Sequence, residues 1–145
     1  MDDKVKLIRL MKMKGERIKE LTGVDFYFGD EDEKEILSWD DETARKAWME
    51  IKSNIKYTRV CGLSGHTCPF CVYYALLYQN KTDIEKCDEC GYGKRHGICF
   101  LVGSDYHKIK QKGICGKDLS NEWYKKIIEE IEIESDQKGG ENGIE

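Results

Sequence analysis

Apolar side chains recur at helical spacing over residues 3–22, with lysine and arginine between them. This periodicity predicts an amphipathic helix that buries one face. Gly15 interrupts the pattern and predicts a division into two short helices, while Gly23 stands where helices often end on a glycine. The apolar positions are Leu7, Ile8, Met11, Ile18 and Leu21.

A second apolar face follows over about residues 40–56 and predicts another amphipathic helix. Its first turn is acidic, which suits the helix dipole, and Ser38 and Asp41 stand at capping-box spacing. Nine acidic residues lie within 25–42 against the single Lys34. Such a run is usually a solvated loop or the N-terminal flank of a helix, and we interpret it as the flank. The apolar face consists of Ala44, Ala47, Trp48, Ile51 and Ile55.

A third periodic segment covers residues 120–134, where Ser120 is the expected N-cap. Residues 24–28 favour a short strand or an aromatic plug, and residues 100–120 favour a strand, a turn and a loop. The end of the chain, residues 135–145, has no apolar periodicity and is expected to be disordered. The buried side of the last helix is expected to carry Trp123, Ile127, Ile128 and Ile131.

The composition allows only a modest core, with 39% hydrophobic and 36% charged residues in 145. A small core is a reason to expect a metal as a folding element. The net charge of −4 argues against general attraction to nucleic acid or acidic lipid. No apolar run is long enough to span a bilayer, and no signal-peptide pattern is present, so we expect a cytoplasmic protein. In that compartment, paired cysteines indicate metal or redox chemistry more often than disulfides.

Six of the seven cysteines lie within residues 61–99. Cys68 and Cys71 form one C-x-x-C unit, Cys87 and Cys90 form a second, and fifteen residues separate the two. This spacing is typical of a structural zinc site with four thiolates in a tetrahedron. A helix is expected to follow, with Thr67 as its N-cap and Pro69 as its first residue. Cys68 would then lie in the positive field at the start of this helix.

Further cysteines and histidines leave the ligand set open. Cys99 is the preferred additional or replacement ligand, followed by Cys61, while Cys115 is expected to be a small buried side chain. His66, His96 and His107 are expected to be ordinary turn or surface residues. Four thiolates also suit a [4Fe–4S] cluster, which is the alternative to Zn²⁺.

The sequence Cys68-Pro69-Phe70-Cys71 before an apolar helix also resembles the dithiol motif of glutaredoxins. That resemblance implies a thiol-disulfide oxidoreductase in which the first thiolate attacks a disulfide and the second resolves it. However, Pro69 is the only proline in the chain, and the thioredoxin fold requires a further cis-proline. Zinc binding is therefore the preferred hypothesis, and no catalytic constellation predicts an enzyme.

The patterns together predict a compact, mainly α domain with a small β-hairpin and zinc-knuckle region, organised around the cysteine site. We divide it into an N-terminal helical segment (1–57), a cysteine-rich metal-binding module (58–119), a C-terminal helix on the same core (120–134) and a disordered tail (135–145).

The order of motifs over roughly residues 40–110 resembles small cysteine-rich proteins of phages and prokaryotic mobile elements, a group without an established activity. The resemblance implies metal binding and a viral or mobile-element origin, hence a host cytoplasm, and it implies no reaction. The chain departs from the pattern at Pro69 and Tyr92. The residues that carry the resemblance are Cys68, Cys71, Cys87, Cys90, Gly93-Lys94-Arg95 and Cys99.

A basic stretch, residues 94–117, has six lysines or arginines against the single Asp105 and is interleaved with aromatics. Such a face can contact phosphates and stack on bases, although a solvated face that balances the acidic run is the preferred interpretation. A protein partner is the other option, in a binding or regulatory role. The candidate nucleic-acid surface consists of Lys94, Arg95, Lys108, Lys110 and Lys112.

Overall fold

The computed structural model of the chain describes residues 3–23, 28–55, 67–80, 82, 85–86, 89–96 and 121–144. Over this part the regular structure consists of six α-helices, with no strand. In chain order they are α1 (Asp3–Thr22), α2 (Asp30–Leu37), α3 (Asp41–Asn54), α4 (Pro69–Leu77), α5 (Gly91–His96) and α6 (Asn121–Ile144). The mainly α fold class is confirmed for these residues. The predicted β-hairpin region, and the strand at residues 24–28 except for Phe28, lie outside them.

The first helix is continuous, so the predicted division at Gly15 is wrong. Helix α1 packs against α2, α3 and α6, and these contacts outweigh the cost of about 1 kcal/mol that one glycine brings to a helix. The predicted glycine terminus is confirmed. Gly23 has φ +73°, and its N–H donates to the Lys19 carbonyl at 2.8 Å.

The acidic run contains a helix of its own, α2, which the sequence interpretation missed. Ile36 and Asp32 are buried on its inner side, and the Gly29 N–H donates to Asp32 Oδ2 at 3.0 Å. The predicted capping box of the next helix is wrong, because Ser38 is the C-cap of α2. Asp40 caps α3 instead, since its Oδ2 accepts the Thr43 N–H at 3.0 Å.

One hydrophobic core joins the described helices. Helix α3 packs against both α1 and α4. Helix α6 packs against α1. The predicted apolar faces of α1, α3 and α6 are confirmed as buried at most of their positions. The largest fully buried side chains are Trp48, Tyr124, Phe70, Leu7, Leu10, Met11, Ile18, Ile36, Ile51 and Ile131.

The last helix differs from the prediction at its end. It continues to Ile144, whereas we expected a disordered tail from residue 135. Ser135 is 6% exposed, so the helix still contacts the core there. No proline follows Pro69, so nothing after residue 134 forces a break in the helical hydrogen bonds.

Candidate functional site

The first C-x-x-C unit lies at the start of α4. Cys68 is the N-cap residue, with φ −89° and ψ 119°, and its carbonyl accepts the Val72 N–H at 3.0 Å. Pro69 occupies the first helical position, as predicted, because its missing N–H leaves no bond unmade there. The predicted N-cap, Thr67, is wrong by one residue, since Thr67 is fully buried just before the cap.

The two thiols of this unit interact across the first helical turn. A hydrogen bond between their side chains lowers the pKa of Cys68 from 9.0 to about 6. Burial acts in the opposite direction, while the Lys14 ammonium and the Cys71 and Phe70 N–H groups support the lowering. The lowered pKa favours the thiolate form of Cys68, which is the form that binds metals and attacks disulfides. Neither cysteine is in a disulfide bond.

Lys14 of α1 is buried beside these thiols and is 2% exposed. Burial alone would lower its pKa, but Tyr124, Cys68 and Cys71 together outweigh burial, so the pKa of Lys14 is raised. Its Nζ lies 5.8 Å from the centroid of the Tyr124 ring. The sequence already indicates this burial, because Lys14 lies in the apolar stripe of α1 between Met11 and Ile18.

The second C-x-x-C unit is represented by Cys90, which precedes α5 much as Cys68 precedes α4. The Cys90 carbonyl accepts the Lys94 N–H at 3.0 Å. Phe70, inside the first unit, contacts Tyr92, two residues after the second, with ring centroids 5.2 Å apart. Cys68 and Cys90 both pack against the same core. The segment that follows Cys90 therefore contacts the first unit through an aromatic ring.

Within the described residues, no group of three or more histidine, cysteine, aspartate or glutamate side chains could hold a metal ion. Cys68, Cys71 and Cys90 therefore do not form such a group by themselves. The four-thiolate site stays a prediction, with its first pair of thiols in contact. The predicted or alternative ligands outside the described residues are Cys87, Cys99, Cys61 and His66, and the expectations for Cys115 and His107 also fall outside them.

A buried ionic cluster, not predicted from the sequence, joins α2 to α5. The Asp32 side chain is 1% exposed, and its Oδ1 accepts a hydrogen bond from Arg95 Nε at 2.7 Å. Its Oδ2 lies 2.8 Å from His96 Nε2. The sequence patterns predict a helix N-terminal flank for the acidic run and a solvated face for the basic stretch, so they do not predict this contact. The spacing of Asp32 and Ile36 nevertheless places both on one helix face.

Glu35 extends this cluster to α4. Its Oε1 lies 2.9 Å from Arg95 Nη2, and its Oε2 accepts the Tyr74 hydroxyl at 3.0 Å. Burial and then the Glu35 charge raise the pKa of Tyr74. Gly91 leaves the room for this approach, because a Cβ there would overlap the Glu35 carboxylate and lie 3.1 Å from Arg95 Nη1. Helix α5, which follows Cys90, is thus held to α2 by polar contacts, and Glu35 in turn links α2 to Tyr74 of α4.

The predicted nucleic-acid surface is described at two of its five positions. Arg95 is committed to Asp32 and Glu35, which leaves its guanidinium less available to a phosphate. Lys94 is exposed. The other members lie outside the described residues; these are Lys108, Lys110 and Lys112. Nucleic-acid binding therefore stays a prediction.

Comparisons with known proteins add no relative, because no family model, curated protein or solved structure matches the chain. The resemblance to small cysteine-rich proteins of phages therefore stays a prediction. Among the described helices, none combines the length and the apolar composition that crossing a bilayer requires.

Proposed function

We propose that this protein is a small metal-binding module in which the thiolates of the two C-x-x-C units hold zinc. The observation that carries the proposal is the contact of Phe70, which lies between the two cysteines of the first unit, with Tyr92, two residues after Cys90. Thiolates are the donors that zinc prefers, and Cys68 has the lowered pKa that favours this form.

Four thiolates would fill the tetrahedral coordination of zinc and leave no position for water. Such a metal is structural, so we propose a binding or regulatory role rather than an enzymatic one. In this arrangement Cys68 and Cys71 supply one pair of ligands, and Cys87 and Cys90 supply the other. Cys99 is the proposed replacement if one of these four is not used.

The test is the metal content of protein purified under reducing conditions. We expect about one zinc per chain in the wild type, and loss of most of it in both Cys68→Ser and Cys90→Ser. Cys115→Ser is the matched control, because it removes one thiol outside both units and should keep the zinc. Wild-type protein without bound metal would contradict the proposal. Brown protein with stoichiometric iron and sulfide would replace zinc with the [4Fe–4S] alternative.

A thiol-disulfide oxidoreductase is the second candidate, favoured by the pKa of about 6 at Cys68 beside Cys71. In that reaction the Cys68 thiolate attacks a substrate disulfide and one substrate thiolate leaves. The Cys71 thiolate then attacks Cys68 Sγ in the mixed disulfide and the second substrate thiolate leaves, so that a Cys68–Cys71 disulfide forms while the substrate is reduced by two electrons. This candidate predicts disulfide reduction that a chelator does not affect and that Cys68→Ser abolishes. Absence of such activity in metal-free, reduced protein would exclude it.

A further inference from the structure

An open groove of about 340 Å³ lies between the end of α3 and the middle of α6. Its apolar lining comes from Ile55 and Ile128, which are buried, and from Ile133, which is 48% exposed. Among the described residues, the charged side chains of the lining are Lys52, Lys125, Glu129 and Glu132. The groove therefore combines an apolar surface with equal numbers of positive and negative charges.

The packing of the helices explains why this groove is open. Helices α3 and α6 both pack against α1, and their side chains meet in the solvated ion pair of Lys52 with Glu132 at 3.1 Å. Two helices that lie on a common third helix can receive a further helix between them. A single exposed isoleucine is ordinary on a protein surface, but Ile133 adjoins two buried isoleucines of the same groove. A further helix in the groove would cover Ile133.

The charges that α6 contributes to the groove change sign along the helix. Lys125 and Glu132 are seven residues apart, which places both on one face of α6. If two α6 helices pair antiparallel about a two-fold axis between residues 128 and 129, each of these side chains lies about 5 Å along the helix from the axis. Lys125 of each copy is then level with Glu132 of the other. This face of α6 is therefore complementary to itself, as a symmetric dimer requires.

We propose that the groove is the interface of a symmetric dimer, in which α6 of each copy packs antiparallel against the groove of the other. The occupant is a second copy of this chain, because the same face of α6 supplies both the apolar side chain and the matching charges. Glu132 keeps its contact with Lys52 and gains Lys125 of the other copy. An interface centred on one helix from each copy is small, so we expect a weak or transient dimer. The inference does not depend on the proposed metal.

The first experiment measures the dimer dissociation constant of the full chain by sedimentation equilibrium under reducing conditions. Concentrations from about 1 μM to about 1 mM cover weak as well as tight association. Ile133→Arg places a charge in the apolar part of the interface and should raise the dissociation constant about 10-fold or more. Leu77→Arg is the matched control, because Leu77 is 47% exposed on α4 and does not line the groove. Circular dichroism checks that both variants fold.

The second experiment tests the antiparallel arrangement by reversing charges. Lys125→Glu brings two glutamates together at each end of the interface, and Glu132→Lys brings two lysines together. Each variant alone should therefore dimerise about 10-fold more weakly. Mixed in equal amounts, the two variants should form a heterodimer with nearly wild-type affinity, because both pairs between the copies are again of opposite charge. The pair of Lys52 with Glu132 is solvated, so its loss should not unfold the chain.

Several results would overturn the inference. Wild-type protein that stays monomeric throughout would leave the groove to another protein or to another segment of this chain. A dimer that Ile133→Arg does not weaken, or that Leu77→Arg weakens equally, would place the interface elsewhere. A dimer that only a chelator dissociates would indicate a metal shared between copies. Mixed charge variants that do not recover affinity would contradict the antiparallel pairing. None of these outcomes changes the zinc content measured for the proposed function.

Discussion

At Asp32, one carboxylate connects helix α2 to helix α5. It accepts hydrogen bonds from Arg95 on α5 and from the Gly29 N–H before α2, and it lies against His96. A carboxylate with 1% exposure is stabilised only while these partners are in place. Its neutral analogue would leave the Arg95 charge partly uncompensated in the same position.

We expect Asp32→Asn to lower the free energy of unfolding by about 3 kcal/mol, the low end for breaking a buried ion pair, because the Arg95 side chain is 30% exposed. Urea denaturation monitored by circular dichroism measures the change. Glu31→Gln is the control: Glu31 and Lys34 are 75% and 74% exposed, and such pairs contribute less than about 1 kcal/mol. Equal stabilities of the two variants would show that the cluster is not important for folding.

At the scale of the helices, apolar contacts and not ion pairs hold α6 against the rest of the protein. Ile131 is fully buried, and Ile127 and Ile128 are buried beside it. The ionic contacts between α6 and other helices are solvated, as in the pair of Lys52 with Glu132 at 3.1 Å, whose side chains are 38% and 36% exposed. Exposed pairs gain little because water screens both charges.

We therefore expect Ile131→Ala to destabilise the protein by about 2–5 kcal/mol, through lost burial and the cavity that remains. Glu132→Gln, one residue away on the same helix, should cost less than about 1 kcal/mol. Both values come from the same denaturation assay. A larger loss in Glu132→Gln than in Ile131→Ala would contradict this account of how α6 is held.

The helices that the sequence could predict are those with a long apolar period. Helices α1 and α3 begin and end close to the predicted positions. Helix α2 was missed because it is short, highly acidic and buries a charged residue, Asp32, on its inner face. Long-range partners such as Arg95 stabilise it, and a period measured along the local sequence contains no information about them.

For the candidate site, spacing predicted the cysteine pairs but not their surroundings. The contact between the Cys68 and Cys71 side chains follows from two cysteines one helical turn apart. The interaction of Lys14 with that pair depends on how α1 packs, and no local sequence motif predicts this packing. Likewise, the ion pair of Arg95 on α5 with Glu35 on α2 depends on the tertiary fold and could not be predicted from the local sequence.

At the scale of the whole molecule, the described core is contributed largely by α1, α3, α4 and α6. Cys90 packs against this core, and α5 after it joins the core through Tyr92 and through the ion pairs of Arg95 with Asp32 and Glu35. A metal shared by Cys90 and the first unit would therefore add a further link between α5 and α4.

We expect removal of zinc by a chelator to lower the thermal midpoint of the wild type, because a metal that binds only the folded state adds its binding free energy to stability. Most of the helical circular dichroism should remain at low temperature, since α1 and α3 have their own apolar contacts. Cys68→Ser, which should already lack the metal, is the control and should show no further shift. An unchanged midpoint in the wild type would contradict a structural metal.

Trp39 has a consequence for how the cysteine region can be observed. Its indole stacks on Tyr73, with ring centroids 3.9 Å apart, and meets the Phe70 ring edge-on at 5.4 Å. Phe70 lies between the two cysteines of the first unit, so a change there is transmitted to the indole by direct contact. We therefore expect the fluorescence emission of Trp39 to change if the first unit binds an ion as proposed.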